Sequence, residues 1–138
     1  MSQAISERTT AFLARSLPMV RQHKAEIVVR MEMSLRDVAP EPGDRAELIA
    51  RTLLGLLIAQ AAGLVDGGRP AGLESAAREL RSLEIGGRHY SRFGDALVPI
   101  LKDVLGGATP RQVASAWCDT FWLMVEALGP TEETAASN

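Results

Sequence analysis

Residues 77–106 read A-R-E-L-R-S-L-E-I-G-G-R-H-Y-S-R-F-G-D-A-L-V-P-I-L-K-D-V-L-G, followed by A-T-P at 108–110 and V-A-S-A-W at 113–117. The stretch predicts the end of one helix, all of a second and the start of a third. Gly86 and Gly87 separate the first two. The second starts near His89 or Tyr90 and runs to Leu105, where Gly106 and Gly107 end it, because glycine tolerates the left-handed turn past a helix C-terminus. Thr109 is a cap for the third, and Pro110 suits its first position, where a missing amide costs nothing. Pro99 removes the amide that would bond the Asp95 carbonyl, so a kink is expected there.

Helical spacing extends in both directions. The third of these helices runs on to about Leu128 and stops at Gly129 and Pro130. Upstream, Ser6 caps a first helix with Phe12, Leu13 and Leu17 facing inward, and Pro18 bends or restarts it. A second helix spans about Lys24 to Val38, with Ile27, Met31, Leu35 and Val38 on one apolar stripe. Pro40, Pro42 and Gly43 break the chain. Asp44 and Glu47 form a variant capping box for a helix to Leu64. After Gly67, Gly68 and Pro70 comes a short helix from about Leu73 to Leu83. Sustained period-two alternation is missing, so strands are not expected.

A chain of 138 residues suits one hydrophobic core. Residues 1–130 are read as one helical domain, and the polar tail 131–138 as disordered. A net charge of −2, with basic residues spread along the chain, gives no electrostatic case for nucleic acid or an anionic membrane. The single cysteine, Cys118, excludes an internal disulfide and suits a reducing, cytoplasmic compartment. No secretory signal is read at the N-terminus. The apolar run from Leu48 to Val65 contains Arg51 and Gln60 and is short for a bilayer, which needs about 20 apolar residues. It reads as a buried helix.

From Leu80 to Trp117 the sequence closely resembles the bacterial globins, in particular the globin domain of flavohaemoglobins. That family reads K-H-x-x-L-x-I-x-P-E-H-Y-x-x-V-G-x-x-L-L, then a helix end at L-G, then a helix carrying A-W. The run from Ser6 to Arg30, including Pro18, resembles the first two helices. The resemblance implies an all-α, single globin-like domain of six to seven helices, with a shortened loop after the second helix. It also implies pocket positions: Met31, Glu32, Leu80, His89, Tyr90 and Trp117. The family's iron-binding histidine falls on Leu80, and its Phe-Tyr pair falls on Met31 and Glu32. The family's glutamine facing the bound gas has no counterpart between Asp44 and Ala59.

Iron needs an imidazole lone pair or a soft sulfur, and leucine offers neither. No cofactor is therefore expected, with Leu80, Met31 and Met33 filling the space. The alternative is a haem protein with non-standard axial ligation that binds oxygen or nitric oxide, with His89 as the replacement ligand. For His89 the favoured reading is a capping or surface imidazole. His23 is read as an exposed residue at a helix junction. Glu32 either turns to solvent at the pocket rim or is buried with a raised pKa; solvent is preferred. Trp117 is expected in the core. Trp122 is either a partner contact or a cover for the first helix. Cys118 reads as a packed small residue, and Asp95, Asp103 and Asp119 do not space as a metal cluster.

Gly55, Ala59, Ala62 and Gly63 give the third helix a small-residue side. The simplest reading is close crossing with the second helix, as in a globin-like fold. Its remaining apolar face calls for cover, by a second subunit of a homo-oligomer, another protein partner or a small apolar ligand. Three functions follow in order of preference. The first is a non-haem sensing, ligand-binding or protein-interaction module, the second a haem protein, and the third an enzyme partnering a reductase. No phosphate loop, nucleophile elbow or acid–base constellation favours the third.

Overall fold

The computed structural model describes residues 7–37, 45–67, 73–106 and 111–128. These form six helices: α1 (Glu7–Gln22), α2 (Lys24–Leu35), α3 (Arg45–Gly67), α4 (Leu73–Ser82), α5 (Gly87–Leu105) and α6 (Arg111–Leu128). No strand occurs among the described residues. The fold is all-α and a single domain. The expected caps at Ser6, Asp44 and Thr109, the end of the α2 stripe at Val38 and the tail 131–138 lie outside the described residues.

α2 packs across α3 and α5, α1 across α3 and α6, and α5 along α6, while α4 leans on α6. The apolar positions converge on one core. Trp117, Phe93, Phe121, Leu13, Ile27, Met31, Leu35 and Leu80 are among its largest fully buried side chains. Phe93 of α5 stacks on Phe121 of α6 with ring centroids 4.7 Å apart and planes 28° from parallel. Such a pair contributes about 0.5–1.5 kcal/mol beyond its buried area.

Pro18 and Pro99 both sit inside continuous helices, so α1 does not restart at Pro18. Pro18 is exposed, and so is Ala14, whose carbonyl loses its partner. Pro99 and Asp95 are exposed in the same way. Water can serve both orphaned carbonyls, so the cost of each proline falls on the solvent side.

The first and last helices share a buried polar contact. The Trp117 indole N–H donates to Ser16 Oγ at 2.7 Å, and Ser16 Oγ donates to the Phe12 carbonyl at 2.8 Å. Ser16 is a poor choice for a helix interior unless its hydroxyl finds work inside the protein. Here it satisfies the one donor that a buried tryptophan cannot leave unpaired. Among the described residues no buried side-chain polar atom lacks a partner.

α3 carries an 18-residue window of mean hydropathy 1.9, half of it buried inside the protein. Its inward side presents Ile49, Leu53, Leu57 and Leu64. The small residues of α3 lie on its less buried side. Gly55, Ala62 and Gly63 are half-buried and Ala59 is exposed. No described atom lies within 4 Å of where a Gly55 Cβ would sit.

Candidate ligand pocket

The six candidate positions come from α2, the end of α4, the start of α5 and α6. Met31 is fully buried and points the same way as Ile27 and Leu35. Met33 is 64% exposed, so it fills nothing. Residues two apart on a helix lie on opposite faces, and Met31 and Met33 could not both point inward. Glu32 lies between them, half-buried, and its carboxylate accepts from Arg36 at 3.1 Å one turn on. The solvent-side reading of Glu32 holds.

Leu80 is 1% exposed and belongs to the main core. The backbone around it is fixed by its own hydrogen bonds. The Glu84 N–H donates to the Arg81 carbonyl and the Ile85 N–H to the Leu80 carbonyl, both at 3.0 Å. This is a Schellman ending to α4. The residue in the left-handed position is Glu84, with φ of 60°, where glycine is the usual choice. Ile85 and Leu80 are both buried, which supplies the hydrophobic contact that accompanies the motif. Arg45, at the start of α3, donates to the Glu84 carbonyl at 3.3 Å and ties this corner to the next helix.

α5 begins one residue later with a reciprocal cap. The Gly86 N–H donates to His89 Nδ1 at 3.0 Å, and the His89 N–H donates to the Gly86 carbonyl at 3.0 Å. Histidine takes the role that glutamate or glutamine plays in the usual capping box. His89 is therefore a capping imidazole, as expected, but a buried one, 3% exposed. With Nδ1 accepting, the proton of the neutral ring sits on Nε2. Using Nδ1 as an iron ligand would uncap α5. Tyr90 is 5% exposed, and burial pushes its phenol up, with the Arg81 guanidinium opposing the shift. Trp117 is fully buried and committed to Ser16.

The structure thus brings Met31, Leu80, Tyr90 and Trp117 into one core and leaves Glu32 at its edge. The interior is aliphatic and aromatic, and its polar groups are already engaged. His23 lies in the turn between α1 and α2, half-exposed, 3.7 Å from Glu26. Asp103 pairs with Arg30 of α2. No group of three or more His, Cys, Asp or Glu could hold a metal ion among the described residues.

Trp122, read as either a partner contact or a cover for the first helix, has its described contacts on α5 and α6. It lies over Gly94 of α5 and makes an edge contact with Phe121, ring centroids 5.1 Å apart at 71°. Its indole also hydrogen-bonds the Cys118 thiol. Burial, with Asp119 and Asp95 nearby, pushes that thiol up, and the Trp122 bond offsets part of the shift. A raised thiol is a poor nucleophile at neutral pH, in keeping with a packing role.

Sequence reasoning did not single out a cleft of about 260 Å³ between the beginnings of α1 and α6, lined by Arg8, Thr9, Phe12, Arg111, Ser115 and Asp119. Its residues are ordinary surface types on two helices distant in sequence, so no local pattern marks them. No known family model and no curated protein matches the chain.

Proposed function

We propose that this chain is a globin-like protein that has given up haem ligation and acts as a protein-interaction module in sensing. The observation that carries the reading is Leu80. It stands where the resemblance puts the iron ligand, and it is 1% exposed among core side chains. Met31, at the position of the family's distal aromatic pair, is equally buried. The broad packing of α2 against α3, expected of a globin-like fold, supports the same reading. A porphyrin seated there would have to displace the buried Leu80 and Met31 side chains, and protein interiors hold few voids larger than a water molecule. On this reading recognition falls to the outer surface.

The test is haem titration of the purified protein followed by optical spectroscopy. The expected result is a weak, non-stoichiometric change with no defined axial-ligand spectrum. Stoichiometric binding with a sharp Soret band would overturn the reading in favour of a gas-binding haem protein. Leu80→His supplies a second arm. Restoring the imidazole leaves the filled interior in place, so the variant is also expected to fail to bind haem tightly. Tight binding by that variant would refute the filled-interior argument.

A further inference from the structure

We propose that the outward side of α3 is a self-association surface, on which a second copy of this chain docks antiparallel through Gly55, Ala59 and Ala62. The proposal stands on this helix face and not on the globin reading. The half of α3 turned away from the core still carries part of its high apolar content. Leu48, Thr52, Gly55, Ala59, Ala62 and Asp66 are half-buried or exposed, and they follow one another at steps of four, three, four, three and four. That spacing is the seam of a helix that pairs with another helix.

Gly55 adds an argument from cost. A glycine inside a helix is worse than alanine by roughly 0.5–1 kcal/mol. No described atom lies within 4 Å of its missing Cβ, so the packing of the described residues gives no reason for it. Close approach by a backbone from outside does. Small residues at the seam let two helices come nearer than large ones allow.

Charge selects the occupant. Arg51 borders this seam before its centre and Asp66 stands at its C-terminal end, and both are exposed. Arg51 meets Glu47 of its own helix at 3.5 Å, yet its side chain remains 54% exposed. Consider the antiparallel register that sets Gly55 against Ala59 of the second copy. Arg51 then lies level with Gly63 of that copy, three residues from its Asp66. Three residues are about 4.5 Å along the axis, within reach of an arginine side chain. The two-fold axis repeats the link, so one surface supplies both charges of both pairs. A parallel pairing would set each charge level with its own copy and offer no such link, and an uncharged partner would add no opposite charge to either.

The test is sedimentation velocity of the full chain over a wide concentration range. A concentration-dependent dimer is expected. Gly55→Leu fills open space in the single chain, so the fold should persist by circular dichroism while association is lost. Arg51→Asp and Asp66→Arg should each weaken the dimer by about tenfold or more, equivalent to ~1.4 kcal/mol. The double reversal R51D/D66R should recover it, which a general loss of folding could not do. A monomer at all concentrations overturns the proposal. So does a dimer indifferent to Gly55→Leu, or one that the double reversal fails to rescue. Monomeric protein that cosediments with phosphatidylcholine vesicles would also overturn it, assigning the face to lipid.

Discussion

Gly94→Ala isolates the contact that joins the last two helices. Gly94 is buried in α5 beneath the indole of Trp122. A Cβ built there overlaps Trp122 Cζ2 and falls 2.8 Å from Cε2 and 3.1 Å from Nε1. Carbon atoms prefer about 3.5–4.0 Å, so the methyl enters the ring's space by roughly 1 Å. Two effects of opposite sign compete. Alanine improves helix propensity by about 0.8–1.0 kcal/mol. Overpacking costs about 1–3 kcal/mol. The indole is 39% exposed and can tilt outward, but doing so strains its bond to Cys118 and its edge contact with Phe121. The overlap should win, leaving the variant about 1 kcal/mol less stable. In a Trp122→Ala background the obstacle is gone and the sign should invert, so that Gly94→Ala stabilises by about 1 kcal/mol. Urea unfolding of the four proteins of this double-mutant cycle, read by circular dichroism at constant m, measures the coupling. Additive effects, or a Gly94→Ala variant more stable than the parent, would refute the reasoning.

Ser16→Ala should destabilise by about 1–3 kcal/mol, because the buried Trp117 N–H loses its acceptor; thermal unfolding would measure it, and a loss below about 0.5 kcal/mol would count against that bond. Glu84→Gly should stabilise, by roughly 1 kcal/mol, since it removes a side chain from a left-handed backbone position; chemical denaturation reports the sign. Cys118 should react more slowly with a neutral alkylating agent than an unfolded control at neutral pH, because its thiol is pushed up chiefly by burial and then by Asp119. The same shift means the folded protein holds that proton longer than the unfolded chain. Its contribution to stability is therefore present below the ordinary thiol range and lost as pH rises through the raised value. A Cys118→Ser variant whose stability varies with alkaline pH as the parent's does would contradict this.

Helix existence was legible in the sequence because each helix has a stop of its own. Gly86–Gly87 and Gly106 mark ends of α4, α5 and the approach to α6, and the stripe of Ile27, Met31 and Leu35 does face the core. Pro18 did not restart α1, because a missing amide is a fact of sequence, whereas its cost depends on whether the orphaned carbonyl can reach water. Ala14 and Asp95 look outward. The small residues of α3 were legible as one side of that helix, but smallness permits close approach without saying from which side it comes. At the candidate pocket, the cap made by His89 followed from its position three residues after Gly86. The burial of that imidazole did not, because the covering side chains come from elsewhere in the fold. Ser16 was invisible for the same reason: its value depends on a tryptophan 101 residues away.

That separation sets an order of events during synthesis. The ribosome releases α1 first, with an inward face that holds Leu13, Leu17 and Val20. α3 can shelter part of it early, but the tryptophan that answers Ser16 emerges only with the last helix. A nascent chain halted after α5 would therefore hold an open seat along α1. Emergence of α6, and not the appearance of any earlier helix, is what closes this contact.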